Sequence, residues 1–177
     1  MIDYGLVNDD PVIRTYTGRW FNVFEPDPES IHIKDIAKSL SKQCRFGGHT
    51  RLFYSVAEHS IECSYLVPDE HKLAALLHDA SEAYLIDVPR PIKKKLIGYK
   101  EIEDGVMTAI AHKFGFDYPF HPSVKQADEE RLEVEWSQLM VKETEIESVM
   151  SQDTASELFI MAFHQYTKNK FIHEISA

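Results

Sequence analysis

The chain has only two cysteines, Cys44 and Cys63, among its 177 residues. Two thiols cannot build a disulfide framework, nor a zinc site made of cysteines, within one chain. A reducing compartment suits such a composition best. We therefore expect a cytoplasmic protein, in the host cytoplasm if the chain is encoded by a phage.

The sequence also lacks long apolar runs and an excess of basic residues. No run reaches the 18 apolar residues of a membrane span, and the first residues lack the basic stretch and apolar core of a signal peptide. Lysine and arginine number 19 against 29 aspartates and glutamates, a net charge of −10. We expect no membrane partner and no nucleic-acid polymer as partner, because a polyanion needs a basic surface.

Glycine and proline are too scarce for a low-complexity chain, at seven and eight residues. The hydrophobic fraction is 44% and the charged fraction 27%, which is ordinary for a globular protein. A length of 177 residues is close to that of one domain with a core of its own. No linker rich in glycine or serine divides the chain, so we predict a single domain over residues 1–177.

Helical periodicity dominates after a lead-in, over residues 1–29, that we expect to be irregular or short-stranded. No convincing strand alternation and no internal repeat is present, so the predicted fold class is an all-α bundle of about six or more helices. The predicted helices cover 33–40, 55–66, 69 to before Pro89 with Asp69 as cap, 99–114, a segment opened by a Ser123/Gln126 capping box, and one opened by a Thr154/Glu157 capping box.

Nine histidines against two cysteines are the positive feature of the composition. Imidazole and carboxylate together suit borderline and hard metal ions. His78 and Asp79 are adjacent on the predicted third helix, about 100° apart around its axis. The dipeptide alone is unspecific, because chance produces such pairs in a chain of this composition.

Residues on two other helices give the dipeptide a context. His59 lies one helix earlier, and Asp128 lies on a face shared with the apolar Val124 and Ala127. A carboxylate on an apolar face is costly unless a cation or a donor meets it. Two imidazoles and two carboxylates from three helices would make a four-ligand metal site with open positions for water and substrate.

Each candidate also has a structural interpretation. His59 taken alone is more often a satisfied helix residue, and Asp128 or Glu82 can be a solvated surface acid. Asp87, before Val88-Pro89, can be a turn residue only. The basic cluster at 90–95 can be an exposed charged turn, in which Arg90 and Lys94 only face solvent.

Four linked motifs, in the same order along the chain, resemble the HD-domain metal-dependent phosphohydrolases. They are Val56 to Ser60, His78 to Glu82, Asp87 to Lys93 and Val124 to Asp128. The resemblance covers about residues 45–128 and is greatest to bacterial 5′-deoxynucleotidases and to small phage enzymes that hydrolyse dATP. The short gap between His78-Asp79 and Asp128 is closer to that of the compact phage enzymes.

The resemblance implies that His59, His78, Asp79 and Asp128 are the ligands of a divalent metal. Glu82 would be the acid/base residue or would orient the attacking water. The set of ligands admits Mn, Co, Fe, Zn or Mg. The resemblance also suggests a homo-oligomer.

It implies further roles for residues around the substrate. Arg45 matches an arginine that contacts substrate phosphate, Asp87 a carboxylate near the sugar and the scissile group, and Lys93 a cation on the phosphate side. The family arginine is typically followed by tryptophan, whereas Phe46 follows here, and its flat ring still allows base stacking. His49 is a candidate for phosphate contact, for a second ion, or for no role.

We therefore expect a phosphohydrolase acting on free 2′-deoxynucleotides, with dATP-type triphosphates preferred. A 5′-deoxynucleotidase acting on monophosphates is one alternative. A regulatory module that holds a nucleotide without turnover is another, although such a module has no need of Glu82. Cleavage of a nucleic-acid polymer is disfavoured by the charge of −10.

Overall fold

A short β-hairpin opens the part of the chain that the computed structural model describes, which is residues 11–141 and 149–176, with side chains as far as residue 168. Strands β1 (Val12–Arg14) and β2 (Trp20–Asn22) pair antiparallel, with Ile13 opposite Phe21. Both the backbone N–H and the hydroxyl of Thr17 donate to the carboxylate of Asp35, which ties the hairpin to the first helix. Within the predicted lead-in, the described residues 11–29 thus contain two strands of three residues each.

Eight α-helices make up most of the rest of the described chain, which confirms a mostly helical fold. They are α1 (Ile33–Leu40), α2 (Val56–Tyr65), α3 (Lys72–Leu76), α4 (Glu82–Leu85), α5 (Arg90–Lys93), α6 (Tyr99–Phe114), α7 (Pro122–Glu135) and α8 (Gln152–Ser176). Three 3-10 turns lie at Pro28–Ser30, Arg45–Gly48 and Asp69–His71, and a π-helical segment, Trp136–Val141, continues α7.

The core lies where α8 packs against α1, α2 and α3. Apolar residues of these helices, of the turn after α3 and of α6 meet there, and they are fully buried: Ile36, Leu40, Ile61, Leu76, Leu77, Ile110 and Phe159. Helix α7 packs against the other side of α2 through a smaller cluster that includes Cys63, Val124 and Ala127. Helix α2 therefore lies between the main core and α7, where His59 and Asp128 can approach each other.

The predicted third helix, from residue 69 to before Pro89, is wrong as one continuous element. The cap position is held by Pro68, Asp69 is the first residue of a 3-10 turn, and α3 begins only at Lys72 and ends at Leu76. Residues 77–81 form turns in which the N–H groups of Ala80 and Glu82 donate three residues back, to Leu77 and Asp79. His78 and Asp79 therefore lie in the turns between α3 and α4, and both side chains reach the same point, with Nε2 of His78 3.4 Å from Oδ2 of Asp79.

Two predicted helix caps also differ from the structure. At α7 the cap is His121, whose Nδ1 accepts from the N–H of Ser123, and Pro122 is the first helical residue. At α8 the capping side chain is Ser151, whose hydroxyl accepts from the N–H of Thr154. Ser151 lies three residues before Thr154, the predicted cap. Both helices are present where the periodicity predicts them. Each begins a few residues earlier than predicted, because a side chain further upstream makes the capping hydrogen bond.

The length of α8 raises the question of a membrane span. Within residues 11–141 and 149–176, no helix combines the length and the apolar character that crossing a bilayer requires.

Replacing Phe159 by alanine tests the core that α8 completes. The Phe159 side chain is fully buried, and removing it leaves a cavity, so we expect a loss of about 3–5 kcal/mol in the free energy of unfolding. The matched control is Met161→Ala on the same helix, where the side chain is 65% exposed. Urea unfolding should place that control within about 0.5 kcal/mol of the unmodified protein; equal losses for both variants would contradict this packing.

Candidate metal centre

Four side chains from three parts of the fold converge on one point at the edge of α2. His59 is on α2, His78 and Asp79 are in the turns after α3, and Asp128 is on α7. The Nε2 atoms of the two histidines are 3.3 Å apart. Nε2 of His59 lies 3.6 Å from Asp79 Oδ2 and 3.3 Å from Asp128 Oδ1, and the corresponding distances for His78 are 3.4 and 3.9 Å.

The second ring nitrogen of each histidine is already engaged. Nδ1 of His59 lies 2.7 Å from an oxygen of Glu135, and Nδ1 of His78 lies 2.7 Å from the carbonyl oxygen of Ala75. Both partners are acceptors, so each Nδ1 donates its proton. The two Nε2 lone pairs are thereby directed at the common point, the tautomer that metal-binding histidines adopt.

The charges at this point favour a cation. Burial opposes ionisation of Asp79 and Asp128, but His78 and His59 lower the pKa of both carboxyl groups below the usual value. Burial likewise opposes a charge on His78, and the two aspartates outweigh it and raise the pKa of His78 to about 9. The two carboxylates thus favour a positive charge between them. Without a metal ion, a proton on His78 provides that charge.

The Cys63 thiol belongs to the same cluster. His59, Cys63 and His78 place a nitrogen or sulfur atom each within 4.8 Å of one another, a group that could hold a metal ion. The sulfur lies 3.5 Å from Nε2 and 3.8 Å from Nδ1 of His59, so it stands beside the imidazole ring and off the axis of the Nε2 lone pair. Burial first, and then the aspartates, raise the pKa of Cys63, which keeps the thiol protonated.

Arg45 is buried next to the cluster, as expected for a residue of the site. Its guanidinium lies 3.2 Å from Glu135 and 3.6 Å from Asp79. Burial disfavours the charge of Arg45, but these two carboxylates raise the pKa of Arg45, and Arg45 in turn helps to lower the pKa of Glu135. One network therefore joins Arg45, Glu135, His59 and Asp79.

Glu82 and Lys93 form a second charged group nearby. Lys93 Nζ lies 2.7 Å from Glu103 and 3.4 Å from Glu82. Burial, followed by the charges of Asp79 and Asp87, raises the pKa of Glu82 well above the usual range. The Oε2 atom of Glu82 is buried without a hydrogen-bond partner among the described residues. The surroundings of Glu82 thus favour its protonated form.

A cavity of about 1060 Å³ opens over these groups. All nine candidates apart from His59 line it, together with residues that the sequence did not single out. The nine are Arg45, Phe46, His49, His78, Asp79, Glu82, Asp87, Lys93 and Asp128. Burial raises the pKa of Asp87, whose side chain is half-buried at the wall. Fully buried His59 reaches the site from behind, through its Nε2 atom.

Glu135 and Trp136 are site residues that the sequence analysis missed. Glu135 is only 1% exposed. It follows an acid-rich, exposed stretch, and such a pattern predicts a solvated helix face. The spacing from Asp128 could have indicated it. Glu135 lies seven residues, or nearly two full helical turns, after Asp128, and therefore on the same face of α7. Arg90, for which facing solvent alone was one of the interpretations, forms an ion pair of 2.6 Å with Asp128.

Comparison with known proteins finds relatives along most of the chain. The uncharacterized protein YfdR of Escherichia coli (strain K12) is 40% identical over 147 residues, which are 83% of this chain and 83% of YfdR. The chain belongs to the YfdR family. The uncharacterized protein RCAP_rcc00048 of Rhodobacter capsulatus is 36% identical over 138 residues, which are 69% of this chain and 70% of that protein. No family model matches the chain.

Proposed function

We propose that the protein is a metal-dependent phosphohydrolase of the HD type that acts on free 2′-deoxynucleotides. The observation that carries the proposal is the convergence of four donor atoms, Nε2 of His59 and of His78 and one oxygen each of Asp79 and Asp128, at separations of 3.3–3.9 Å. The resemblance of the four sequence motifs supports the same reaction class.

A divalent metal ion fits this set of donors. Bonds of about 2.0–2.2 Å to nitrogen and oxygen place neighbouring ligand atoms roughly 3–3.6 Å apart. Two imidazole nitrogens 3.3 Å apart need one proton or one metal ion between them, and a metal ion would be shared by all four donor atoms. His59, His78, Asp79 and Asp128 would hold the ion, which would act as a Lewis acid on a phosphoryl oxygen and on the attacking water.

The remaining polar residues have roles in binding and proton transfer. The charge of Arg45, held between Glu135 and Asp79, offsets negative charge on a phosphoryl group at the edge of the cluster. Glu82 can give a proton to the leaving oxygen or take one from water at its free Oε2 atom. Lys93 holds Glu82 in place and adds a second cation on the phosphate side.

Deoxyadenosine-type triphosphates remain the preferred substrates in this proposal, on the basis of the compact motif spacing. The charge of the cavity supports monophosphates as a second candidate. Seven carboxyl groups and four permanent cations line the described cavity, and each of those cations is already ion-paired: Arg45, Arg90, Lys93 and Lys100. A substrate with fewer charges meets less repulsion in such a site.

Product analysis with a panel of nucleotides tests the proposal and separates its two forms. In Mn²⁺ or Co²⁺ we expect dATP to be hydrolysed, with release of phosphate, pyrophosphate or triphosphate identifying the bond broken, and we expect a chelator to stop the reaction. Consumption of dAMP with triphosphates untouched would assign a 5′-deoxynucleotidase. Binding of both without turnover in any metal would contradict the proposal and leave a nucleotide-binding module.

A further inference from the structure

Trp136 is the most exposed aromatic side chain among the described residues that line the cavity. It is 52% exposed, whereas Phe46, Tyr118 and Phe120 are each partly buried. Large exposed aromatic rings that line a cavity are characteristic of ligand contact, because they supply a rigid flat surface. Neither the metal ligands nor the proton-transfer residues require a tryptophan at this position.

The position of Trp136 is fixed by the network of the metal centre. The preceding residue, Glu135, is hydrogen-bonded to His59 and to Arg45, and Phe46 follows Arg45 in the chain. The rings of Phe46 and Trp136 are in contact at an interplanar angle of 65°, with centroids 5.9 Å apart. The Arg45–Glu135 ion pair thus sets both rings at a defined place relative to the four donor atoms.

Phe46 supports this arrangement from the side. Its backbone is left-handed, with φ of 56°, a conformation that costs free energy for a residue with a Cβ atom. The guanidinium of Arg45 lies over its ring at 5.5 Å from the centroid. One face of Phe46 is therefore occupied within the protein, and Trp136 is the ring with more surface free for a ligand.

The aromatic residues at the other end of the cavity are less available. Tyr118 donates its hydroxyl proton to Asp104, and its ring packs edge-on against Phe120, with centroids 5.0 Å apart. Both rings also pack against the main core. They form part of the wall and present less free face than Trp136 does.

We infer that Trp136 binds the nucleobase of the substrate by stacking, with Phe46 as its lateral support. The inference rests on the proposed function, since it takes a nucleotide as the ligand of this cavity. The phosphate would then lie at Arg45 and the four donor atoms, with the sugar between the phosphate and the Trp136 ring. Stacking on a flat ring tolerates any base, so Trp136 provides affinity for nucleotides as a class and does not select one base.

The chain contains only two tryptophans, Trp20 and Trp136, which makes the inference directly measurable. In a Trp20→Phe variant, Trp136 is the sole fluorophore of its kind. In EDTA, which prevents turnover, we expect dAMP to quench its fluorescence saturably. 2-Deoxyribose 5-phosphate, which lacks the base, should not. A Trp136→Phe variant with Trp20 retained should show no such quenching.

Affinity measurements complete the test in the otherwise unmodified protein. By calorimetry, Trp136→Leu should weaken dAMP binding about tenfold, as expected for the loss of one stacked base, and leave binding of 2-deoxyribose 5-phosphate unchanged. Equal weakening of both ligands, or dAMP binding without quenching, would overturn the inference. Quenching and base-dependent affinity, with neither dATP nor dAMP hydrolysed in any metal, would instead refute the phosphohydrolase proposal and retain the base site.

Discussion

Replacing His78 and Asp79 together by alanine is expected to abolish metal binding and nucleotide hydrolysis while the protein stays folded. The two side chains supply two of the four converging donor atoms, and the remaining pair cannot hold a divalent ion in a catalytic geometry. In the proposed reaction the ion would supply several kcal/mol of stabilisation to the transition state, so the rate should fall by at least about three orders of magnitude.

Two measurements separate this loss from unfolding. Addition of Mn²⁺ should raise the melting temperature of the unmodified protein and leave that of the double variant unchanged, because only a folded state with a site is stabilised by a ligand. Circular dichroism should show the same helix content in both proteins without metal. His112→Ala, an exposed histidine on α6, is the matched control. Retained activity in the double variant would refute the metal site.

Replacing Glu135 by glutamine is expected to damage both stability and metal affinity. The carboxylate is 1% exposed and bonds to Nδ1 of His59 and to Arg45. Its neutral analogue leaves the buried Arg45 charge partly uncompensated, at a cost of about 3 kcal/mol or more. Loss of the anionic partner of His59 makes that ligand less basic, so metal affinity should fall about 10–100-fold.

The control for Glu135 is a glutamate on the same helix that does not face the site. Glu130 is exposed, and Glu130→Gln should change neither the urea midpoint nor the affinity for Mn²⁺ measured by calorimetry. If Glu135→Gln behaves like Glu130→Gln in both measurements, the link between Glu135 and the metal centre is wrong. A loss of stability with unchanged metal affinity would limit Glu135 to a structural role.

Much of the fold could be predicted because helical periodicity is a local property. Residues 33–40, 55–66 and 99–114 were placed within a residue or two of α1, α2 and α6, since a single apolar stripe dictates each helix. The third helix could not be predicted, because its apolar pattern continues through the break at residues 77–81. At residues 77–81 the burial of the turn against neighbouring helices decides the conformation, and this tertiary packing overrides the local pattern.

The sequence predicts which residues form the candidate site better than it predicts which side chains contact one another there. His59, His78, Asp79 and Asp128 were identified by spacing and resemblance, and the structure brings them together. Their partners were not identified: Glu135 lies 76 residues from His59 and 90 from Arg45. No sequence rule relates residues so far apart in the chain without a homologous structure or covariation.

The sequence by itself determined the helical class, the scarcity of thiols, the acidic surface and the supply of imidazole and carboxylate ligands, because composition and local periodicity suffice for each. Only the tertiary structure decided that the helix breaks at His78, that a buried glutamate orients His59, and that every permanent cation of the described cavity wall is already paired. These depend on which helices pack together, since packing sets the distances between charges and the burial that gives those charges their strength.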